Sequence, residues 1–165
     1  MERWNRAVKE DHELLISQGK SLESALAGET SAEDKRLFIS WIVGILHPML
    51  ELHLRKEDEV LLPALRILLG EEACAVTVLK EERDGLRGRL RWLAELLQAP
   101  EQLDWEAVTI ASDSLLELLE DHENETNRLL MDLLQEHLTP KELKALGEAF
   151  QEVARKAYEE EGWPK

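Results

Sequence analysis

The chain has little cysteine: Cys74 is the single one among its 165 residues. A lone thiol cannot form a disulfide within the chain, so packing and polar contacts must stabilise the fold. Such cysteine usage fits a reducing compartment. We therefore expect a cytoplasmic protein.

Glycine and proline are also scarce, with eight and five residues respectively. Both residues interrupt regular helices, so their scarcity leaves room for long uninterrupted helical segments. Hydrophobic residues make up 44% of the chain and charged residues 33%. That balance is typical of a globular domain and excludes a disordered chain. The length suits one domain, and we assign residues 1–165 to it.

The chain also has few basic residues compared with acidic ones, and its formal net charge is -15. A strongly acidic surface repels phosphate backbones and anionic lipids, so we expect neither a nucleic-acid nor a membrane partner. The N-terminal residues 1–5 open a charged amphipathic stretch without an apolar signal core. No apolar run is expected to approach the roughly 20 residues that span a bilayer, so no transmembrane helix is predicted.

Apolar residues recur at steps of three and four along most of the chain, which predicts amphipathic helices. Five helices are predicted, at about residues 2–27, 32–69, 71–97, 104–137 and 140–160. Four long helices with short connections pack most simply as an antiparallel bundle. The predicted fold is therefore all-α, an up-down-up-down four-helix bundle with an additional C-terminal helix.

Local signals mark the ends of these helices. Gly28 and Gly70 are expected to stop the first two helices. Ser31 is predicted to cap the second helix, with Asp34 three residues later. The dipeptide 139–140 is Thr-Pro, an N-cap followed by proline at the first helical position. Two prolines within helix 2, at positions 48 and 63, should each kink it or split it into segments.

The inward face of each predicted helix follows from the same periodicity. For helix 2 the predicted stripe begins with Phe38, Trp41, Ile45 and Met49 and continues through two polar residues, His53 and Glu57. In helix 3 the stripe contains Arg83 and no histidine. A polar side chain in such a stripe is costly to bury unless it is paired or binds a metal.

Histidines interrupt the apolar stripes of three helices. His53 and Glu57 are four residues apart, so both side chains project from one face of helix 2. His12 lies in the stripe of helix 1, and His122 lies in that of helix 4. Helical bundles build metal sites from inward side chains of this kind, and imidazole with carboxylate suits iron, manganese or zinc. The pattern predicts a metal site, although a single inward histidine is more often a core residue.

Several segments resemble the hemerythrin-like (HHE cation-binding) family. Residues 53–65 (His-Leu-Arg-Lys-Glu-Asp-Glu-Val-Leu-Leu-Pro-Ala-Leu) are similar to the helix-2 signature of that family. Residues 11–15 resemble its first-helix histidine segment, 119–122 its fourth-helix segment, and 138–147 the start of its extra C-terminal helix. The resemblance implies a non-haem di-iron centre. It also implies binding or sensing of oxygen, iron, nitric oxide or peroxide.

The sequence departs from the family pattern in two helices. Arg83 stands where the third helix of the family supplies a histidine, and Thr126 and Asn127 stand where its fourth helix supplies a carboxylate. Two outcomes remain open. Glu82 and Glu125 swing in as replacement ligands, or Arg83 takes part of the metal space and pairs with Glu57.

Three functional hypotheses follow. The leading one is a metal-binding protein, not an enzyme, in which His12, His53, Glu57 and His122 hold one or two ions, iron first, that bind a small diatomic ligand. The second is a metal-free bundle that acts as an interaction scaffold, with a buried Arg83–Glu57 ion pair. The third is a di-iron nitric oxide or peroxide reductase, which the missing helix-3 histidine disfavours.

Overall fold

Helices make up nearly all of the residues that the computed structural model describes, which are 3–70, 73–99, 103–125 and 132–161. No strand occurs in these ranges, so the all-α prediction is confirmed for them. The helices are α1 (Arg3–Ala27), α2 (Ala32–Lys56), a π-helical turn (Glu57–Leu61), α3 (Leu62–Leu69), α4 (Cys74–Gln98), α5 (Trp105–Glu125), α6 (Asp132–His137) and α7 (Pro140–Glu161). Residues 126–131 of the predicted fourth helix lie outside the described ranges.

The predicted helix-terminal signals act as expected. The Ser31 hydroxyl accepts a hydrogen bond from the Asp34 backbone N–H at 3.1 Å and so caps α2. Before α7, the Thr139 backbone N–H donates to Glu142 Oε2 at 2.8 Å, as in a capping box. Gly70 ends α3 with a φ of 92°, a left-handed backbone conformation that glycine adopts without steric cost.

A π-helical turn joins α2 to α3 directly beside the predicted metal ligands. The Leu62 N–H donates to the Glu57 carbonyl, five residues earlier, instead of following the α-helical pattern. Pro63 has no N–H to donate, so the regular ladder cannot continue through it, and the chain adjusts just before it. The π-helical turn is therefore the interruption that was predicted at Pro63. At Pro48 the α-helix continues without a break.

A polar layer divides the apolar core into two clusters. Helix α1 packs against α2, α5 and α7, and α4 packs against α2 and α5. One cluster is built around Leu15, Leu46, Leu86 and Leu119, and the other around Val8, Val60, Leu79 and Phe150. In α1, α2, the π turn, α4 and α5, buried polar residues lie next to or between members of the two clusters. These residues are His12, His53, Glu57, Arg83 and His122.

The predicted inward stripe of α2 is wrong in its N-terminal half. Phe38 is 50% exposed and Trp41 is 60% exposed, although both were expected in the core. The buried residues instead follow a series shifted by one position, which contains Ile39, Ile42, Leu46 and Leu50. Both series are apolar, so periodicity alone could not distinguish them. Both series reach His53 at helical steps, so His53 was predicted to be inward and is buried.

The continuous helical stretch Ala32–Leu69 is long and apolar enough to cross a membrane by length and composition. This corrects the expectation that no apolar stretch reaches that length. The stretch also supplies fully buried core residues such as Ile42 and Leu46. Core helices of bundles pass the same test, so no membrane location follows from it.

Candidate metal centre

Three histidines and one glutamate from α1, α2, the π turn and α5 meet inside the polar layer. His12, His53, Glu57 and His122 are each at most 2% exposed. Their four ligand-capable atoms lie within 4.8 Å of one another. Nε2 of His53 is 3.1 Å from Nε2 of His12 and 3.2 Å from Nε2 of His122. Oε1 of Glu57 is 3.3 Å from His53 Nε2 and 3.2 Å from His122 Nε2.

Hydrogen bonds among these side chains cannot account for the arrangement. A ring nitrogen has either one hydrogen or one in-plane lone pair, so His53 Nε2 can bond to one neighbouring imidazole and not to both. Nδ1 of His12 has no hydrogen-bond partner, and the Glu57 oxygens and Nδ1 of His53 and His122 lie in ion-pair contacts outside hydrogen-bond geometry. Buried polar atoms without partners are costly, so the cluster needs a further group to satisfy it.

Most separations among the four atoms suit a single cation. Imidazole nitrogens about 2.0–2.1 Å from an ion such as zinc lie about 2.8–3.4 Å from one another at adjacent octahedral or tetrahedral positions. Four of the six separations, at 3.1, 3.2, 3.2 and 3.3 Å, fall in this range, and all six are within 4.8 Å. Imidazole with carboxylate is also a donor set that iron, manganese and zinc accept. The cluster could therefore hold a metal ion.

The charges of the site are set by burial and by Glu57. Burial, together with the neighbouring histidines, lowers the pKa of His12 to about 2, so its imidazole is neutral. Burial opposes the charge on His122 too, but Glu57 and Glu82 outweigh it and raise the pKa of His122 to about 9. Burial disfavours the Glu57 carboxylate, yet His53 and His122 hold its pKa well below the usual range. Glu57 is thus an anion facing imidazoles.

Two further carboxylates lie behind the histidines, on the side away from the cluster. Oδ2 of Asp11 is 3.6 Å from His53 Nδ1, and Oε2 of Glu82 is 3.5 Å from His122 Nδ1. Carboxylates in this position orient metal-binding histidines and increase their basicity. Asp11 also accepts a hydrogen bond from the buried Lys56 ammonium at 2.6 Å. This pairing fixes the carboxylate between α1 and α2.

The comparison with protein families agrees with this geometry. The family model described as Hemerythrin HHE cation binding domain matches residues 5–134. The chain belongs to this family. No curated protein and no solved structure matches it. The matched residues include all four members of the buried cluster.

An ion pair between Arg83 and Glu57 was one of the two outcomes left open by the sequence. It is wrong, because Arg83 of this hemerythrin-like chain pairs with Asp58. The guanidinium is 4% exposed, and its NH2 group lies 2.7 Å from Asp58 Oδ1. Asp58 is the second residue of the π segment, and its carboxylate lies toward α4, which supplies Arg83. Arg87 also contacts Asp58, at 3.4 Å. Asp58 therefore neutralises Arg83, and Glu57 keeps its charge for the cluster.

Of the two predicted replacement ligands, Glu82 does not join the four residues of the cluster. It contacts the outer nitrogen of His122 instead, which makes it an orienting group in this arrangement. Glu125 is the last residue of α5, and its side chain lies outside the described part of the chain, as do Thr126 and Asn127.

Sequence reasoning missed Asp11, Lys56 and Asp58 as neighbours of the site. Each is adjacent in sequence to a member of the cluster, namely His12 or Glu57. Adjacency in a helix turns a side chain by about 100° from its neighbour, so no periodic signal could place these residues at the site. Their contacts depend on how α1, α2 and α4 pack together.

Proposed function

We propose that this hemerythrin-like protein binds one metal ion, iron in the first place, through His12, His53, Glu57 and His122. The observation that carries the proposal is the convergence of four buried donor atoms from four helical segments within 4.8 Å of one another. Three neutral imidazoles and one carboxylate leave a divalent ion with a net charge of about +1 in the bundle. Manganese and zinc fit the same donors.

The protein groups have separate tasks in this proposal. His12 lies at the cluster as a neutral base, because burial prevents its protonation. Glu57 supplies the negative charge. Asp11 and Glu82 hold the rings of His53 and His122 in orientation from behind. The two apolar clusters on either side of the layer exclude water from it.

We propose one ion and not two because a buried protein cation, Arg83, is bound to the residue that follows Glu57. The Arg83 guanidinium is buried next to Asp58, one residue beyond Glu57. A second metal there would face a fixed positive charge, and the Asp58 carboxylate beside it is already paired with that charge.

The bundle topology in this proposal is antiparallel and up-down-up-down, with α7 as the additional helix. The short connection at 28–31 supports it.

The proposed ligand of the metal is a small diatomic molecule. Four protein donors leave part of the coordination sphere of a six-coordinate ion open, and a bound ion would offer that position as a Lewis acid or redox centre. The site lies within the bundle and is lined by buried side chains, which restricts access to small molecules. Oxygen and nitric oxide meet this requirement, and peroxide is close to it in size.

Elemental analysis tests the proposal directly. Untagged protein is expressed in iron-supplemented medium, kept free of chelators and measured by plasma mass spectrometry beside two variants. His53→Ala should lose the metal because three histidine or carboxylate contacts converge on that nitrogen. His47→Ala is the matched control, because His47 is an exposed histidine of the same helix. It should keep the metal.

The measured stoichiometry separates the hypotheses. About one metal per chain that disappears in His53→Ala supports the mononuclear site. About two metals per chain would require further ligands and would favour a binuclear site. No metal in the parent, or full retention in His53→Ala, would contradict the assignment. Changes in visible absorption and electron paramagnetic resonance on adding nitric oxide to the ferrous protein then test the open position.

A further inference from the structure

The metal centre is enclosed by α1, α2, α4 and α5, and one of these helices supplies no ligand to it. Helices α1 and α4 each pack against both α2 and α5, so α4 lies across the bundle from α1. The four donor atoms come from α1, α2, the π turn and α5. Among the described residues, α4 contributes no member of the cluster. A bound ion would therefore have its open position on the side of α4.

Arg83 is the inward residue of α4 at the level of the cluster. Members of the two apolar clusters lie four residues before it and three residues after it, as they do for His12 in α1. These flanking residues are Leu79 and Leu86 for Arg83, and Val8 and Leu15 for His12. The side chains of Arg83 and His12 are both buried. Equal flanks on opposite helices place the guanidinium across the cluster from the His12 imidazole.

Protein groups use only part of the Arg83 guanidinium. Its NH2 group lies 2.7 Å from Asp58 Oδ1. Its Nε is buried and has no hydrogen-bond partner among the described residues. A buried donor without a partner is costly, and a charged donor forms its strongest hydrogen bonds to anions. The polar layer therefore offers a cationic N–H group to an acceptor that the protein does not supply.

The charge of the loaded site favours an anion as that acceptor. Three neutral imidazoles and the Glu57 carboxylate leave a divalent ion with a net charge of about +1. The pair of Arg83 and Asp58 adds no net charge. A monoanion would neutralise the ion, whereas a neutral ligand would leave an uncompensated charge between two apolar clusters.

We propose that the site selects a small monoanion, bound between the metal ion and the Arg83 guanidinium. This inference rests on the proposed metal site and narrows its ligand class to anions such as hydroperoxide, superoxide or nitrite, in preference to neutral oxygen or nitric oxide. Arg83 is then the residue that determines specificity. It donates an N–H group to the anion on the side of the bundle where the ion has no protein ligand.

Azide is the probe for this selectivity, and nitric oxide is the neutral comparison. The iron content of the full chain and of each variant is measured first. Azide is then titrated into the ferric protein and followed by its charge-transfer absorption, and nitric oxide is titrated into the ferrous protein. Arg83→Met should raise the Kd for azide about 10- to 100-fold, because a hydrogen bond from a charged donor is lost. It should change the Kd for nitric oxide by about threefold or less.

Three further variants separate the donor from its surroundings. Arg87→Met is the matched control, because Arg87 contacts the same Asp58 carboxylate from a half-buried side chain, and it should leave the azide Kd within about twofold. Arg83→Met combined with Asp58→Asn removes both charges of the pair and should still weaken azide about tenfold or more. Arg83→Lys keeps the charge without the planar guanidinium and should weaken azide about fivefold. It also provides a reading if Arg83→Met does not fold.

The outcomes distinguish this inference from the metal site on which it rests. Azide binding that falls in every Arg83 variant and persists in Arg87→Met, with nitric oxide little changed, supports the proposal. An iron-loaded parent that does not bind azide contradicts it, as does azide binding that is unchanged in Arg83→Met or restored by Asp58→Asn in the double variant. A parent without metal contradicts the metal site itself, and the anion site with it.

Discussion

Replacing His12 with leucine separates a metal ligand from an ordinary core residue, because the two roles predict opposite changes in stability. His12 is 2% exposed, its Nδ1 has no hydrogen-bond partner, and its pKa is lowered to about 2. A buried polar atom without a partner costs about 1–3 kcal/mol, and leucine at this position needs no partner. We therefore expect metal-free His12→Leu to be more stable than the metal-free parent by about 1–2 kcal/mol. For a chain of this size the increase in Tm is about 2–8 °C.

Metal should reverse the order of the two proteins. An ion at 100 times its Kd stabilises the folded parent by about 2.7 kcal/mol, and His12→Leu should gain less because it has lost one of four donors. The assay is thermal unfolding after removal of metal by chelator, repeated with added Zn²⁺ as a redox-inert probe. His47→Leu, an exposed histidine on α2, is the control and should change neither melting temperature by more than a degree or so. A clear decrease in Tm for metal-free His12→Leu would refute the reasoning and make His12 a structural residue.

Two other properties of the site lead to measurable expectations. Arg83→Ala should lower the stability by about 2 kcal/mol, between the values for surface and buried pairs, because Arg83 is 5% and Asp58 39% exposed as side chains. A melting temperature equal to that of the parent would show that the pair contributes nothing. Metal affinity should rise with pH, since the pKa of His122 is raised to about 9 by Glu57 and Glu82 and the imidazolium must lose its proton before it can coordinate. Below that pKa the apparent affinity should fall about tenfold per pH unit, and calorimetry in buffers of different ionisation enthalpy should detect the released proton. An affinity that stays flat from about pH 6 to 8 would contradict the charge assigned to His122.

The candidate ligands were predictable from sequence because each one breaks a periodic apolar pattern. His53 and Glu57 share a face by their spacing alone, and His12 and His122 interrupt stripes that are otherwise apolar. A helix fixes the direction of a side chain relative to its own neighbours, so an inward polar residue can be recognised before the partner helices are known. The same logic identified the helix caps at Ser31 and Thr139, which depend on residues three positions away.

The phase of α2 was not predictable in the same way. The segment 35–50 is apolar on nearly all sides, so the series through Phe38 and Trp41 and the series through Ile39 and Ile42 fit a helix equally well. Packing against α1 and α4 selects the second series. A helix that is apolar all round either is buried all round or meets another apolar surface. The wrong phase prediction and the exposure of Phe38 and Trp41 therefore have one cause, the all-round apolar character of this segment.

The partner of Arg83 shows the limit of sequence reasoning at the site itself. Position 83 was correctly expected to be inward, but the one partner considered for it was Glu57, and the structure pairs it with Asp58. Glu57 and Asp58 are adjacent, and helix geometry gives no reason to prefer one of them. The π turn that begins at Glu57 changes the local pitch and separates the directions of the two side chains, one toward the histidines and one toward α4. Because Asp58 takes the guanidinium, Glu57 is left as an anion that faces only the histidines, which is the state that a metal ligand requires.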